Sequence, residues 1–261
     1  MSYESELFFA QSAARKAGEA CIRILHEGVV AETKSDESPV TRADKESERL
    51  IVSILSQAFP DDGFLGEEGA SRTSANGRRW IIDPIDGTRD FVRNNRLWAI
   101  LIGLEDKGEP VVGICYLPML GEMYYAAKGQ GAFLDGTPIR ASKIDTPKQA
   151  VVCVNKLNGV TQPPFGPRLL DWLAFFWCVR VFGGIYDAML VASGRMEIWM
   201  EPSVQPWDLC APVCILREAG ARFFSLNGQD SIYEGNGVAC APGLEPEVRQ
   251  FLNLPAAAPP R

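Results

Sequence analysis

The chain of 261 residues contains a single histidine, His26, and no two cysteines spaced Cys-x-x-Cys. One histidine leaves little room for mechanisms built on a positioned imidazole. His26 lies near the end of a predicted helix, in RILHEG, where the helix C-terminus favours a cation. The seven cysteines (Cys21, Cys115, Cys153, Cys178, Cys210, Cys214 and Cys240) are odd in number and scattered. They indicate neither a disulfide framework nor a zinc ribbon and read as small buried apolar residues. No cysteine is followed six positions later by arginine, and neither G-x-x-x-x-G-K-[ST] nor G-x-G-x-x-G occurs. No apolar run is long enough for a membrane span. The stretch MSYESELFFAQSAARKAG lacks the layout of a secretory signal, so the expected location is the cytoplasm. Basic charge is also scarce: 26 Lys and Arg against 33 Asp and Glu give a net charge of −7, which argues against nucleic acid as a partner.

What is present is 46% apolar residues, enough to bury a large core as one unit or two closely packed lobes. Residues 4–26 carry an apolar stripe that stops at Gly28 and predicts a helix. A second helix begins near Thr41 in SPVTRADKESERLIVSILSQAF and ends before Pro60, with VVAETKSDESPV between the two as a loop or short hairpin. After FLGEEG and the strand RRWIID, short apolar runs from Leu97 to Leu134 are separated by Gly and Pro turns and predict an antiparallel meander. There follow a strand near AVVCV, helices near Arg168 to Trp177 and Ile185 to Ser193, a strand in RMEIWME and a helix in APVCILREAG. This order predicts α+β layers, with one lobe over 1–145, a second over 146–254 and a loose tail over 255–261.

The stretch WIIDPIDGTRDF ends a buried strand on two like charges. Pro84 keeps the backbone extended and Gly87 lets it turn, so Asp83 and Asp86 can face one space at the sheet edge. Two such anions relieve their repulsion by sharing a proton or by gripping a divalent cation. The bland alternative is a turn at Asp86-Gly87 with Asp83 capping a helix. GFLGEEGA adds Glu67 and Glu68 between glycines, and PSVQPWDLCAP adds Asp208 just ahead of a helix; each alone reads as a solvated charge or an N-cap. Together they are all oxygen donors without Cys or His, which points to Mg²⁺, with Mn²⁺ possible, rather than Zn²⁺. Several carboxylates around such an ion imply a phosphate substrate.

DPIDGT after a strand, GEE upstream, WD downstream and SPVTRAD near the N-terminus resemble the inositol monophosphatase superfamily, in its order and over roughly residues 5 to 250. The resemblance implies a layered α-β-α-β-α sandwich of the inositol monophosphatase and fructose-1,6-bisphosphatase type, usually a homodimer. It implies Mg²⁺-dependent, lithium-sensitive hydrolysis of phosphate monoesters by metal-activated water. Carried over by position, it makes Glu67, Asp83 and the Ile85 carbonyl ligands of one ion and Asp83, Asp86 and Asp208 ligands of a second, with a weaker third ion leaning on Glu67. Most of these ligands fall in the first lobe; Asp208 and the substrate contacts fall in the second. Thr88 matches the hydroxyl that orients the attacking water, and Asp44 accepts from that threonine. The N–H groups of Gly87 and Thr88 match a phosphate cradle. Asp44 also completes a Thr41-x-x-Asp44 capping box, and the two roles are compatible. Glu68 is either a water-positioning group or a surface glutamate, and Lys34 either matches a family lysine near the metals or is a solvated loop residue.

Substrate choice is less sharply written. Glu201, seven residues before Asp208, matches a carboxylate that bonds a sugar hydroxyl; it suits the amine of histidinol phosphate equally, or is a strand-end glutamate. Arg89 follows DPIDGT where inositol enzymes commonly carry uncharged residues, and Gly184 stands where many place serine; both are closer to histidinol-phosphate phosphatases. The order Arg89-Asp90-Phe91 is also similar to the K-E-F of 3′(2′),5′-bisphosphate nucleotidases. The expected function is hydrolysis of a small phosphorylated alcohol, inositol monophosphate or histidinol phosphate. The alternatives are bisphosphate nucleotidase or fructose-1,6-bisphosphatase activity, or a non-catalytic, partner-binding role in RNA processing.

Overall fold

The computed structural model describes residues 3–33, 39–159 and 165–256. The N-terminal stripe forms α1 (Glu4–Glu27), which buries the small side chains Ala10, Ala13, Ala14, Ala17 and Cys21. Small residues let α1 lie close against α2 (Arg42–Ala58), whose start is fixed by the Thr41 and Asp44 capping box. The polar stretch between them is a hairpin: β1 (Ala31–Thr33) pairs antiparallel with β2 (Pro39–Thr41). Lys34 lies outside the described residues.

The predicted meander is the larger part of an eight-stranded sheet. It is built from β3 (Gly63–Gly66), β4 (Ser71–Arg72), β5 (Arg78–Asp86), β6 (Ala99–Asp106), β7 (Glu109–Leu117), β8 (Glu122–Ala127), β9 (Ala132–Leu134) and β10 (Thr137–Ile139). The spatial order is β10-β9-β8-β7-β6-β5-β3-β4. Only β3 and β5 run parallel, so both chains leave the sheet at the same edge. A second sheet has the order β12-β11-β13-β15-β14. Its strands are β11 (Val151–Val154), β12 (Cys178–Val179), β13 (Ile198–Glu201), β14 (Arg222–Phe224) and β15 (Gly237–Cys240).

Three cores separate five layers. The first joins α1 and α2 to one face of the large sheet through residues such as Ile51, Trp80 and Ile100. The second lies between the sheets, where Leu101 and Cys115 meet α5 (Tyr186–Ala192) and α6 (Pro206–Glu218) and, beyond them, Trp199 of the second sheet. The third packs α4 (Leu169–Leu173) and α7 (Glu245–Phe251) on the outer face of the second sheet, around Ile198 and Trp172. The fold is therefore the expected α+β sandwich, layered α-β-α-β-α. Among the described residues no helix is long and apolar enough to cross a membrane.

The second half departs from expectation in three places. The helix read near Arg168 to Trp177 stops at Leu173; the Trp177 N–H then bonds the Pro147 carbonyl at 3.0 Å and the chain enters β12. α6 begins at Pro206 because proline in a first helical turn sacrifices no hydrogen bond, so Asp208 lies inside the helix rather than ahead of it. β14, β15 and α7 carried no clear period in the sequence: β15 is buried along its whole length and loses the alternation that marks a half-buried strand, and β14 and α7 are too short to show a period. Of the tail expected over 255–261, residues 257–261 lie outside the described residues.

The placement of α6 depends on two positions without side chains. A Cβ at Gly103 of β6 would lie 2.4 Å from Cys210 Sγ, and one at Gly113 of β7 would lie 2.2 Å from the Ala211 carbonyl oxygen. The helix thus rests directly on the sheet backbone, and Cys210 fills the space that Gly103 leaves. Gly113→Ala should push α6 outward, lowering stability by about 1–3 kcal/mol. The denaturant midpoint measures this, and an unchanged midpoint would show that α6 is not seated by that contact.

Candidate active site

β5 continues through Pro84 to Asp86, with a register irregularity between Asp83 and Asp86 where it pairs with β6. That irregularity, not a simple strand end, turns both carboxylates toward one space. The Ile85 N–H donates to Asp83 Oδ1 at 3.0 Å and fixes its rotamer. Gly87 then takes φ 85°, a left-handed conformation that a glycine adopts without strain, and α3 (Thr88–Val92) begins. On the parallel neighbour β3 the chain exits at the same edge, and the Glu67 N–H bonds the Ile82 carbonyl at 3.1 Å. This loop is held from below by Glu48 of α2, which accepts from the N–H of Glu68 at 2.9 Å and of Ala70 at 2.8 Å. Gly66 leaves room for that carboxylate, since a Cβ there would lie 2.1 Å from Glu48 Oε2.

Asp208 arrives from the other side on the first turn of α6, where its Oδ2 accepts from the Gln205 N–H at 2.8 Å. The carboxylates of Asp83, Asp86 and Asp208 each bring one oxygen within 4.8 Å of the others. Burial raises the pKa of Asp83, and the nearby charges of Glu67, Asp208 and Asp86 raise it further. Burial and Asp208 push Asp86 up to about 7, against the Ile185 N–H, which donates to its Oδ2 at 2.8 Å, and the charge of Lys156. Asp208 is pushed up to about 6, chiefly by burial. Such crowding is unfavourable for three carboxylates by themselves. An all-oxygen donor set suits a hard divalent cation, whose attraction for each carboxylate would offset their mutual repulsion.

These groups open onto a cleft of about 730 Å³. Its lining brings together Glu67, Asp83, Ile85, Asp86 and Asp208 with Gly87, Thr88, Arg89, Gly184 and Glu201. Asp44 is buried beneath Thr88, which lies 3.4 Å away at Oγ1 and also donates to the Ile85 carbonyl at 3.1 Å. The same Asp44 accepts from the Thr41 N–H at 2.8 Å and the Thr41 hydroxyl at 2.6 Å, so the capping box and the threonine contact coexist in one side chain. Burial raises its pKa to about 6 despite those donors. Glu68 lines a different hollow, with Lys45, Glu48 and Arg49, and is not part of the cleft lining.

Sequence reasoning missed Asn155, Lys156 and Asp187. Asn155 Nδ2 donates to Glu201 Oε2 at 3.2 Å and to the Gly184 carbonyl at 3.1 Å, while Lys156 Nζ is 3.0 Å from Glu201 Oε1. Both Glu201 oxygens therefore have partners from the end of β11. Buried Asp187 accepts from the Gly183 N–H at 2.9 Å and the Phe182 N–H at 3.2 Å, holding the loop before α5. That loop explains Gly184: its φ is 56°, and a Cβ would lie 2.6 Å from Asp86 Oδ2. The overlooked signal was AVVCVNK, a polar pair directly after a buried apolar run, the same layout that marked the acidic positions.

The inositol monophosphatase family model matches residues 2–253. The chain belongs to the inositol monophosphatase family. It is 41% identical over 209 residues to the protein named histidinol-phosphatase of Chlorobaculum parvum, covering 80% of this chain and 81% of that one. It is 31% identical over 227 residues to the inositol-1-monophosphatase of Bacillus subtilis, covering 82% and 83%. The crystal structure of the extragenic suppressor protein suhB from Bartonella henselae superposes with a TM-score of 0.87 at 28% identity, over 95% of this chain and 98% of that one. Family membership makes the protein a phosphatase of a metal-dependent family, and Asp83, Asp86 and Asp208 are a group that could hold a metal ion.

The crowding of the carboxylates predicts a stability effect without metal. Asp83→Asn keeps an oxygen for the Ile85 N–H but removes the most crowded charge. In chelator the variant should unfold at a higher temperature than wild type. A variant less stable than wild type would show that the cluster is not a source of repulsion.

Proposed function

We propose that the protein hydrolyses a small phosphorylated alcohol, histidinol phosphate ahead of inositol monophosphate, with Mg²⁺ as its natural ion and Mn²⁺ able to replace it. The observation that carries this is the convergence of Asp83, Asp86 and Asp208 from two layers of the fold on one cleft, with oxygens within 4.8 Å. Glu67, Asp83 and the Ile85 carbonyl would hold one ion, and Asp83, Asp86 and Asp208 a second. Bound divalent cations supply charge neutralisation for the phosphate and an activated water.

The chain's own groups position the reactants. Thr88 donates its hydroxyl proton inward, to the Ile85 carbonyl or to Asp44, which leaves its lone pairs facing the cleft to accept from a water. The first N–H groups of α3, at Gly87 and Thr88, have no partner within the helix and suit phosphate oxygens. Water oxygen attacks phosphorus in line with the bond to the alcohol; that bond breaks and the alcohol leaves with a proton. Arg89, exposed at the mouth, and Glu201, buried within, face the organic part of the substrate. Glu68 would act on the site only through its loop, and Lys34 remains a proposed contact.

The preference for histidinol phosphate rests on the greater identity to the protein of that name, on Arg89, and on Gly184 beside Asp86. A homodimer, a cytoplasmic location and the division into lobes near residue 145 belong to the same reading. The test is phosphate release from histidinol phosphate, inositol 1-phosphate, fructose 1,6-bisphosphate and 3′-phosphoadenosine 5′-phosphate, each with Mg²⁺ and with chelator. Chelator-sensitive turnover, fastest on histidinol phosphate, is expected. Faster turnover of another substrate would overturn the substrate assignment, and chelator-resistant turnover the metal assignment.

A further inference from the structure

Glu201 and the Ser203 carbonyl already hold an ammonium group. Lys156 Nζ is 3.0 Å from Glu201 Oε1 and donates to the Ser203 carbonyl at 2.5 Å. The topology builds this contact. β11 and β13 are parallel neighbours, with Val154 opposite Met200, and the Asn155 N–H extends the ladder to the Met200 carbonyl at 2.8 Å. Lys156 then turns out of the ladder with φ 48°, a left-handed value unusual for a side-chain-bearing residue, and its stem reaches the end of β13. Among the described residues, Arg89 and Lys156 are the basic residues in the cleft lining.

The two partners differ in how firmly they are held. The Glu201 side chain is 8% exposed and its second oxygen is bonded by Asn155, whereas the Lys156 side chain is 45% exposed. The acceptors are fixed and the cation is the part free to leave, and a half-exposed ion pair is weak enough to exchange. A substrate ammonium carries the same three donors as the lysine and fits the same acceptors. It cannot share them comfortably, because a like charge would then lie beside it.

We propose that Lys156 is a built-in occupant of an ammonium site formed by Glu201 and the Ser203 carbonyl, which an amino-alcohol phosphate must displace to bind. Lys156 thereby sets the choice among phosphorylated alcohols. A polyol phosphate leaves the lysine in place and meets an ammonium donor; an amino-alcohol phosphate trades places with it. The inference rests on the phosphatase reading above.

The experiment uses Lys156→Met, which keeps the stem, and Lys156→Gln, which keeps an uncharged donor toward Glu201, with thermal melting to confirm that both are folded. Calorimetry of histidinol with metal-free protein gives binding without turnover. Both variants should bind it about three- to tenfold more tightly than wild type, the scale of one part-exposed charge pair. With Mg²⁺, KM for histidinol phosphate should fall by a similar factor while KM for inositol 1-phosphate does not fall. Unchanged or weaker histidinol binding in both folded variants overturns the proposal, as does a common rise in KM for both phosphates, the mark of an ordinary substrate contact. If no protein releases phosphate from histidinol phosphate yet the variants bind histidinol more tightly, the substrate reading fails and the displacement model stands.

Discussion

The repulsion among carboxylates at the end of β5 is the constraint to which the rest of the structure answers. Asp83, Asp86 and Asp208 would separate if their backbones were free. Each is instead tied by a backbone N–H, from Ile85, Ile185 and Gln205 respectively. These donors come from three different segments, so no single loop movement relieves the crowding. Burial first, and neighbouring carboxylates after it, raise the pKa values of all three. For a divalent cation the same confinement would be preorganisation, with three carboxylates in place before the ion arrives.

The layers explain how such a cluster is kept. Two of its carboxylates sit on a strand in the large sheet, the third on a helix sandwiched between the sheets. Bringing them together requires α6 to rest on backbone, which Gly103 and Gly113 permit. The GEE loop is fastened by Glu48 of α2, and Thr88 stands over Asp44 of the same helix. The outer helical layer thus braces the site from beneath, while the second sheet supplies its far wall through Asn155, Lys156 and Glu201.

The first two helices and the meander were legible in the sequence because their periods are strong, an apolar stripe every three to four residues and short runs punctuated by glycine, while the α-β-α-β-α order followed from the family resemblance. The acidic residues that meet in the cleft were legible because charge placed directly after an apolar strand conflicts with burial unless it has a use. β14, β15 and the true start of α6 were not, since β14 is only three residues long, the fully buried β15 lacks alternation, and Pro206 reads as a breaker when it is a first-turn residue. Lys156 was missed for a different reason. AVVCVNK marks the position but not the partner, because the contact with Glu201 comes from the parallel pairing of β11 with β13 and spans 45 residues. Glu201 was found, but its partners change its meaning: it is an occupied acceptor, not an open one.

The claim on which everything else depends is that this carboxylate cluster exists to bind divalent cations. Calorimetric titration of Mg²⁺ into chelator-stripped protein tests it most directly, with Asp208→Asn as the comparison. The account predicts saturable binding of more than one ion per chain in wild type and loss or marked weakening of at least one of them in the variant. Absence of saturable binding, or identical isotherms for the two proteins, would contradict it.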